Sequence, residues 1–156
     1  MPNHVINHLT FDGEKSVIKT MLNEIKGQDE DGYSLLIDFN KIVPMPEEEE
    51  DNWYDWRCEH WGTKWNAYEQ NELVDGLMFW TAWSNPKQVI IALSKKYPSI
   101  RIDVEYADED YGNNCGKYSV ENGIVSNETI YNAWRSEDQD YIEEAQDFAR
   151  YLWGEE

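Results

Sequence analysis

Thiol, imidazole and carboxylate side chains are the groups in this 156-residue chain that could bind a metal or exchange protons. Residues 58–60 read Cys-Glu-His and Cys115 is the other cysteine, but this set has no Cys-x-x-Cys pair and no fourth ligand at a suitable spacing. His4 and His8 would lie on one face of a strand about 13 Å apart, which is too far to share a metal. We therefore predict no metal site and no cofactor.

Oxygen donors surround a glycine at residues 108–114, which read Asp-Glu-Asp-Tyr-Gly-Asn-Asn. The glycine comes one position too early for a calcium-binding EF-hand loop and no glutamate closes it, so we expect a turn closed by Asp and Asn side chains. The sequence also lacks Gly-x-Ser-x-Gly, a phosphate-binding glycine loop and His-Glu-x-x-His. These observations favour a binding protein over an enzyme and predict no catalytic residues.

Tryptophan is concentrated around the stretch WGTKWNAY, which begins at Trp61. Its alternation of large with small or polar residues suits neighbouring strands whose rings share a face, and therefore predicts a core beneath this region. The alternative is an exposed aromatic platform for a partner protein or a nucleic-acid base. We expect Trp61 and Trp65 to be buried and Trp53, Tyr54 and Trp56 to be exposed. The candidate binding residues are Trp53, Tyr54, Trp56, Trp61, Lys64, Trp65, Tyr68, Trp80 and Trp83.

The formal net charge is −19, from 13 basic and 32 acidic residues. This charge disfavours binding to duplex nucleic acid or to an anionic membrane and favours a basic protein partner. The acidic residues of the C-terminal segment could form a solvated helix face or a docking surface for such a partner. The candidate acidic docking surface consists of Asp103, Glu105, Asp108, Glu109, Asp110, Glu143, Glu144 and Asp147.

The first 15 residues contain neither a basic leader nor an apolar segment of the signal-peptide type, and no later apolar run is long enough to cross a bilayer. We therefore expect a cytoplasmic protein. In a reducing compartment two cysteines that lie far apart in the sequence are expected to be free thiols.

Hydrophobic periodicity in the first half of the chain predicts strand, helix and strand in that order. Residues 4–11 alternate as a strand, with Val5 and Asn7 on the opposite face from His4 and Ile6. An apolar stripe from residue 17 to residue 25 then has the spacing of a helix, which Gly27 closes. Residues 33–39 form an apolar run of strand length, which the following prolines terminate.

The second half repeats this order and adds two elements. A strand is predicted at residues 76–83, a helix begins at Asn85-Pro86 with Asn85 as its cap, and a strand follows at 100–106. Asn122-Gly123 is the turn signal of a further hairpin. Residues 136–139 match a capping box and precede an amphipathic C-terminal helix.

Two successive β-α-β halves predict an α+β fold, a ferredoxin-like split β-α-β sandwich with four antiparallel strands covered by two helices on one face. We expect a single domain over residues 1–156. It carries a Trp-rich insertion at 44–66, and a C-terminal hairpin with an acidic helix at 115–156. An edge strand of such a sheet could pair across a homodimer.

Several segments resemble a known family. These are the opening MPNHVINHLTFDG, then FNKIVPMP, WGTKWNAY, and TAWSNP followed by a helix, YP and a strand ending in YADEDYGNNCGKY. Over about residues 1–118 they resemble the YubB-type ferredoxin-like family of bacteriophages, plasmids and integrated elements. The resemblance implies a ferredoxin-like fold without an iron–sulfur cluster and an origin in a mobile element. It carries over no activity and no catalytic residue.

Two functions are consistent with these patterns. The first is a non-enzymatic acidic protein of a phage or mobile element that binds a basic host protein, such as a nucleic-acid-binding defence complex. The second is a module that holds a small ligand, for example a nucleotide, in a pocket of Trp61, Trp65, Tyr68, Trp80 and Trp83. Lys64 or Arg57 would then meet the charge of the ligand.

Overall fold

The computed structural model describes residues 2–155 and contains one six-stranded sheet, a separate two-stranded ribbon and four α-helices. None of the helices in that range has the length and hydropathy needed to cross a membrane. The strands are β1 (His4–Asp12), β2 (Gly27–Gln28), β3 (Ser34–Leu35), β4 (Tyr68–Leu73), β5 (Gly76–Ala82), β6 (Arg101–Asp108), β7 (Cys115–Glu121) and β8 (Ile124–Tyr131), and the helices are α1 (Lys15–Glu24), α2 (Trp53–His60), α3 (Lys87–Lys96) and α4 (Gln139–Trp153).

Strand β1 occupies an interior position of the sheet, whose order is β4-β5-β1-β6-β7-β8. It pairs antiparallel with β5 on one side and with β6 on the other. The segment β5-α3-β6 is therefore a split β-α-β unit with β1 between its two strands, as in a ferredoxin-like sheet. The fold predicted from the sequence is confirmed in this respect.

The predicted second strand at residues 33–39 is wrong. Only Ser34–Leu35 is extended, and it pairs with β2 outside the main sheet. The backbone N–H groups of Leu36 and Ile37 donate to the Gln70 side-chain oxygen, at 2.6 and 3.1 Å, instead of to a neighbouring strand. The apolar run is therefore an irregular core segment, and the edge position of the sheet belongs to β4.

The stretch WGTKWNAY is likewise not a strand along its length. Residues 61–65 form a turn and bends, residues 66–67 have no regular structure, and β4 begins at Tyr68, the last residue of the stretch. Glu69, at φ +49°, lies within a register shift between Tyr68 and Asn71. This irregularity and the acidic side chains make β4 a poor template for pairing with another chain.

The two faces of the sheet carry separate cores. Helices α1 and α3 cover the face to which Leu9 and Phe11 of β1 point, together with the buried Trp61. Helix α4 covers the opposite face, to which Ile6 points, and packs its Ala145 there. The prediction of two helices on one face is thus correct for α1 and α3, and α4 adds a third layer.

The C-terminal hairpin is confirmed. Asn122 and Gly123 have φ values of +50° and +75°, which is the left-handed pair that a two-residue hairpin turn requires. Helix α4 is also confirmed, but the predicted capping box at residues 136–139 is displaced. Asp138 is the cap, and its side chain accepts from the Asp140 backbone N–H at 3.1 Å.

Asn85 does not cap α3, contrary to the prediction. Its side chain points to the sheet, where its amide donates to the Asn7 oxygen at 2.9 Å and its oxygen accepts from the Tyr118 hydroxyl at 2.7 Å. Asn7 is fully buried and donates in turn to the Thr81 hydroxyl at 2.9 Å. Burial raises the pKa of Tyr118, so this hydroxyl remains a neutral donor. The network fixes α3 and β7 to the centre of the sheet.

Replacing Asn7 with Ala should destabilise the protein by about 2–3 kcal/mol, because the Asn85 amide loses its buried acceptor. Urea denaturation should show a lower midpoint with an unchanged slope. The exposed Asn71 of β4 provides the control, since N71A should change stability by less than about 0.5 kcal/mol. Equal effects of the two substitutions would contradict the structural role of the network.

Candidate functional site

The insertion between β3 and β4 is helical and acidic at its start. A 3-10 helix at Glu47–Asn52 runs directly into α2. Trp61, at the end of α2, is fully buried and donates from its Nε1 to the Val43 carbonyl at 2.8 Å. Its ring meets Phe39 edge-on at 5.5 Å. Trp61 therefore anchors the insertion to the core.

Four other aromatic side chains of this region remain exposed, with exposed fractions between 38% and 45%. Tyr54 connects them, because its ring lies edge-on at 5.9 Å from Trp53 and at 6.4 Å from Trp83. Large exposed rings in contact with one another are uncommon on protein surfaces that bind neither a partner nor a ligand. We call this group the aromatic surface, and its members are Trp53, Tyr54, Trp65 and Trp83.

Two basic side chains are inserted between indole rings at this surface. The Lys64 ammonium lies 4.2 Å from the ring centre of Trp65 and 4.0 Å from that of Trp83. The Arg57 guanidinium lies 5.1 Å from Trp53 and 5.0 Å from Trp61. Each such contact contributes about 0.5–1 kcal/mol where it is partly exposed. The indoles are thus held in an arrangement that attracts cations.

Arg57 is also partly desolvated. Burial lowers its pKa, and the nearby Glu30 carboxylate opposes part of that shift. One of its terminal nitrogens donates to the Lys64 carbonyl at 3.4 Å, whereas its buried Nε has no hydrogen-bond partner among residues 2–155. The guanidinium group is therefore held mainly by the two indole faces.

Trp83 has φ +70°, in the left-handed region that large side chains avoid. The conformation costs about 1 kcal/mol and is maintained by its neighbours. Its N–H donates to the Asn3 carbonyl at 3.0 Å, and its carbonyl accepts from the Asn114 side chain at 2.7 Å. This strain places the indole outward, where it contacts Lys64.

Carboxylates lie beside the aromatic surface. A cavity of about 730 Å³ is lined by Glu30, Glu47 and Glu50 together with Trp53 and Trp65. These three glutamates are exposed and make no ion pair within 4.0 Å in the part of the chain that the structure describes. We call them the acidic rim. Aromatic faces next to unpaired carboxylates attract cations by both quadrupole and charge.

Residues 60–153 match the family described as a ferredoxin-like domain in Api92-like protein. The match covers more than half of the chain. The chain belongs to this family. No curated protein and no solved structure matches the sequence.

The match to the Api92-like family begins at the last residue of α2 and ends at the last residue of α4. It includes Lys64, Trp65 and Trp83 but neither β1 nor the acidic 3-10 helix. The family's ferredoxin-like description agrees with the sheet topology described above.

The predicted exposure of the tryptophans is correct in part. Trp61 is buried and Trp53 and Tyr54 are exposed, as expected. Two assignments are wrong, because Trp56 is buried against Trp61 and Trp65 is exposed. Trp56 closes the hydrophobic side of α2, whereas Trp65 follows a turn that directs it outward. Trp56 and Trp61 therefore belong to the core and not to a binding surface.

Of the five rings predicted to form one pocket, Trp65, Tyr68 and Trp80 are in contact, since Tyr68 lies 6.3 Å from each of the other two, but Trp61 lies apart from them. Trp61 packs in the core under α1 and α3, whereas Trp80 lies on the α4 face, 5.2 Å from Trp153. Tyr68 lies on the α4 side as well, and its hydroxyl contacts the His4 Nδ1 at 2.7 Å. Burial, assisted by Glu109, raises the pKa of Tyr68 to about 12. The sheet therefore separates Trp61 from Trp80.

The predicted acidic docking surface is divided as well. Asp108 is buried and accepts hydrogen bonds from the Asn3 and Asn114 side chains at 3.0 and 3.1 Å, so it is not available to a partner. Asp103 accepts from the Ser119 hydroxyl and contacts Arg101. Four members are exposed. Glu109 directly follows β6, and Glu143, Glu144 and Asp147 lie on α4. Glu105 and Asp110 are partly buried.

The turn at residues 108–114 is confirmed as one closed by polar side chains, since the Asp108 carboxylate accepts from the Asp110 N–H at 2.9 Å. Across residues 2–155, no group of three or more His, Cys, Asp or Glu side chains is placed to hold a metal ion. Cys58 and Cys115 are both free thiols, as predicted.

Sequence reasoning missed the left-handed backbone at Trp83 and the position of the acidic run beside the rings. The first carries no local signal, because a tryptophan before Ser-Asn-Pro gives no indication of its own φ. The position of the acidic run did have a local signal. Residues 47–52 directly precede Trp53, so the acidic run and the first exposed rings had to be neighbours.

The strain at Trp83 can be measured with two substitutions that remove the same indole. Trp83→Gly should be more stable than Trp83→Ala by about 1 kcal/mol, because glycine adopts φ +70° without a steric penalty. Thermal or urea unfolding of both variants gives the difference directly. Equal stabilities would contradict the strained conformation.

The two thiols should differ in reactivity. Cys115 is fully buried, and its desolvation raises its pKa to about 11, whereas Cys58 is partly exposed. A thiol-specific reagent at pH 8 should modify Cys58 first and Cys115 more than about 100-fold more slowly, because thiolate content and access both fall. In Cys58→Ser, rapid modification should disappear and return only on unfolding.

Proposed function

We propose that this protein is a non-enzymatic binding module whose aromatic surface and acidic rim engage a basic partner protein. The observation that carries the proposal is the position of Lys64, whose ammonium lies between the rings of Trp65 and Trp83 at 4.2 and 4.0 Å. Rings arranged in this way already hold a cation of the chain itself. A lysine or arginine of a partner would meet the same faces from outside.

The charge of the molecule supports a basic partner. Of the carboxylates within the described range, Asp12, Asp103, Glu128 and Asp147 lie within 4.0 Å of a basic nitrogen. The remaining surplus is uncompensated, which leaves a field that accelerates association with cations and repels polyanions. The acidic rim places part of that charge directly beside the rings.

A small ligand in the Trp-rich region is less well supported. Trp61, one of the five predicted pocket residues, is enclosed in the core on the other face of the sheet from Trp80. The cavities that Arg57 lines near Trp65 also contain carboxylates, including Glu30, which disfavours a phosphate group. A basic protein surface requires no enclosed pocket and is compatible with rings that are about 40% exposed.

The proposal includes an origin in a phage, plasmid or integrated element and a partner in the cytoplasm of the host. It rests on the YubB-type sequence resemblance and on the net charge. A basic host protein that binds nucleic acid has a surface suited to a polyanion, and an acidic module with exposed aromatic anchors is complementary to it.

The test is capture of host proteins on the immobilised protein at about 50 mM and about 200 mM salt, with three versions of the chain side by side. The versions are wild type, Trp65→Ala and the control Trp134→Ala, which removes a tryptophan that is 79% exposed outside the aromatic surface. We expect basic proteins on wild type and W134A, reduced at least about fivefold on W65A and weakened at the higher salt.

Identical retention on all three versions would contradict the role of the aromatic surface. Retention of no basic protein at either salt concentration would contradict the proposal as a whole. Unfolding curves of W65A and W134A confirm that the comparison is between folded proteins, since both rings are exposed.

A further inference from the structure

A second cavity lies on a different part of the molecule, between α1 and the hairpin of β4 and β5. Its volume is about 610 Å³, which is within the usual range for small-molecule sites of about 300–1,000 Å³. Its floor and walls are mainly apolar. The apolar side chains that line it are Phe11, Ile18, Leu22, Leu36, Leu73, Val74 and Leu77. We call this cavity the α1 cleft.

One side of α1 faces the cleft with an alternation of lysine and aliphatic residues. Lys15, Ile18, Lys19 and Leu22 follow one another at the spacing of a single helix face, Lys26 comes two residues after the helix ends, and all five line the cavity. The three lysines are exposed, so their methylene stems can extend the apolar wall while the ammonium groups stay in water at the rim.

These lysines are a local exception in an acidic protein. They are three of its 13 basic residues, and within residues 2–155 none of them lies within 4.0 Å of a carboxylate. Of the carboxylates that line the cleft, Glu72 and Asp75 belong to the hairpin opposite α1, whereas Asp12 ends β1 and contacts Arg101 at 3.8 Å. Positive charge is thus confined to the α1 wall.

The hairpin side of the cleft leaves aliphatic surface uncovered. Val74, in the turn between β4 and β5, is fully exposed, and Leu73 is 39% exposed. A ligand with an apolar body would cover both side chains and the floor at Phe11 and Leu77.

We propose that the α1 cleft binds a small amphipathic anion. Its single carboxylate, phosphate or sulfonate group contacts Lys15, Lys19 and Lys26, and its aliphatic or aromatic body lies against the apolar floor. The carboxylates of the opposite wall orient the ligand, because they repel its anionic end. The site shares no lining residue with the aromatic surface, so this proposal can fail or succeed independently of the proposed function.

Decanoate is a suitable probe, with decanol as the neutral molecule of equal length. Calorimetric titration of the whole protein should give one decanoate site with a dissociation constant of about 100 µM. Amide NMR shifts should concentrate in residues 15–26 and 72–77. Decanol should bind at least about threefold more weakly, and added salt should weaken the binding of decanoate only.

Two matched pairs of variants locate the site. Lys19→Gln should weaken decanoate binding about two- to fivefold, whereas Lys95→Gln, at an exposed lysine of α3, should leave it unchanged. Leu73→Ser should weaken it about fivefold, whereas Ile124→Ser, at an exposed aliphatic of β8, should not. All four positions are exposed, so the variants should remain folded.

Three results would overturn the proposal. They are the absence of binding up to about 1 mM decanoate, equal binding of decanol, and equal effects of K19Q and K95Q. The last outcome would mean that the anion responds to overall charge and not to the α1 wall.

Discussion

The whole structure depends on β1 being paired along both of its edges. It is a strand whose two faces both contribute to cores: Leu9 and Phe11 enter the core under α1 and α3, and Ile6 enters the core under α4. Any shift of one residue in its pairing would exchange these side chains between the layers. Asn7 adds a second constraint on the register, because its buried side-chain amide is hydrogen-bonded only when the strand pairing brings Thr81 and Asn85 to it. Both layers and the position of α3 are thus set by one nine-residue strand.

The acidity of the protein and its exposed rings both carry a cost in stability. Repulsion among surplus carboxylates weakens a compact state. Here much of the negative charge is on surface segments, such as the 3-10 helix at Glu47–Asn52 and α4, while the cores are apolar with a few hydrogen-bonded polar groups. The aromatic surface adds a local cost at Trp83, where the backbone is strained so that an indole can face outward. Strain of this kind persists where surrounding contacts impose it and is concentrated at functional positions.

Sequence patterns predicted the elements that have strong local signals. The alternation in β1 and β6, the Asn-Gly turn and the amphipathic stripe of α4 each result from one local rule, and each is present. The patterns failed where tertiary contacts replace local ones. Residues 33–39 look like a strand because they are apolar, yet the Gln70 side chain binds backbone groups there and prevents ladder pairing. Asn85 looks like a cap, yet Asn7 and Tyr118 offer it buried partners.

The same limit applies to the site. The composition of the aromatic surface was predictable, because Trp53, Tyr54, Trp65 and Trp83 stand out in the sequence, but the distribution of rings between core and solvent was not. That distribution depends on the irregular backbone of residues 61–67, which no periodic pattern describes. The family match, which starts at residue 60, likewise informs the fold and leaves the ligand open.

The pairing of β1 also has a consequence for how the chain acquires its structure. Val5 pairs with Thr81 on one side and with Asp108 on the other, so both neighbours of the first strand lie far along the sequence. Contacts between such distant segments close large loops and slow the search for the native state. During synthesis β1 must wait, unpaired, until β5 has left the ribosome, and its second edge stays open until β6 follows, so its alternating apolar residues are exposed to other chains in the meantime.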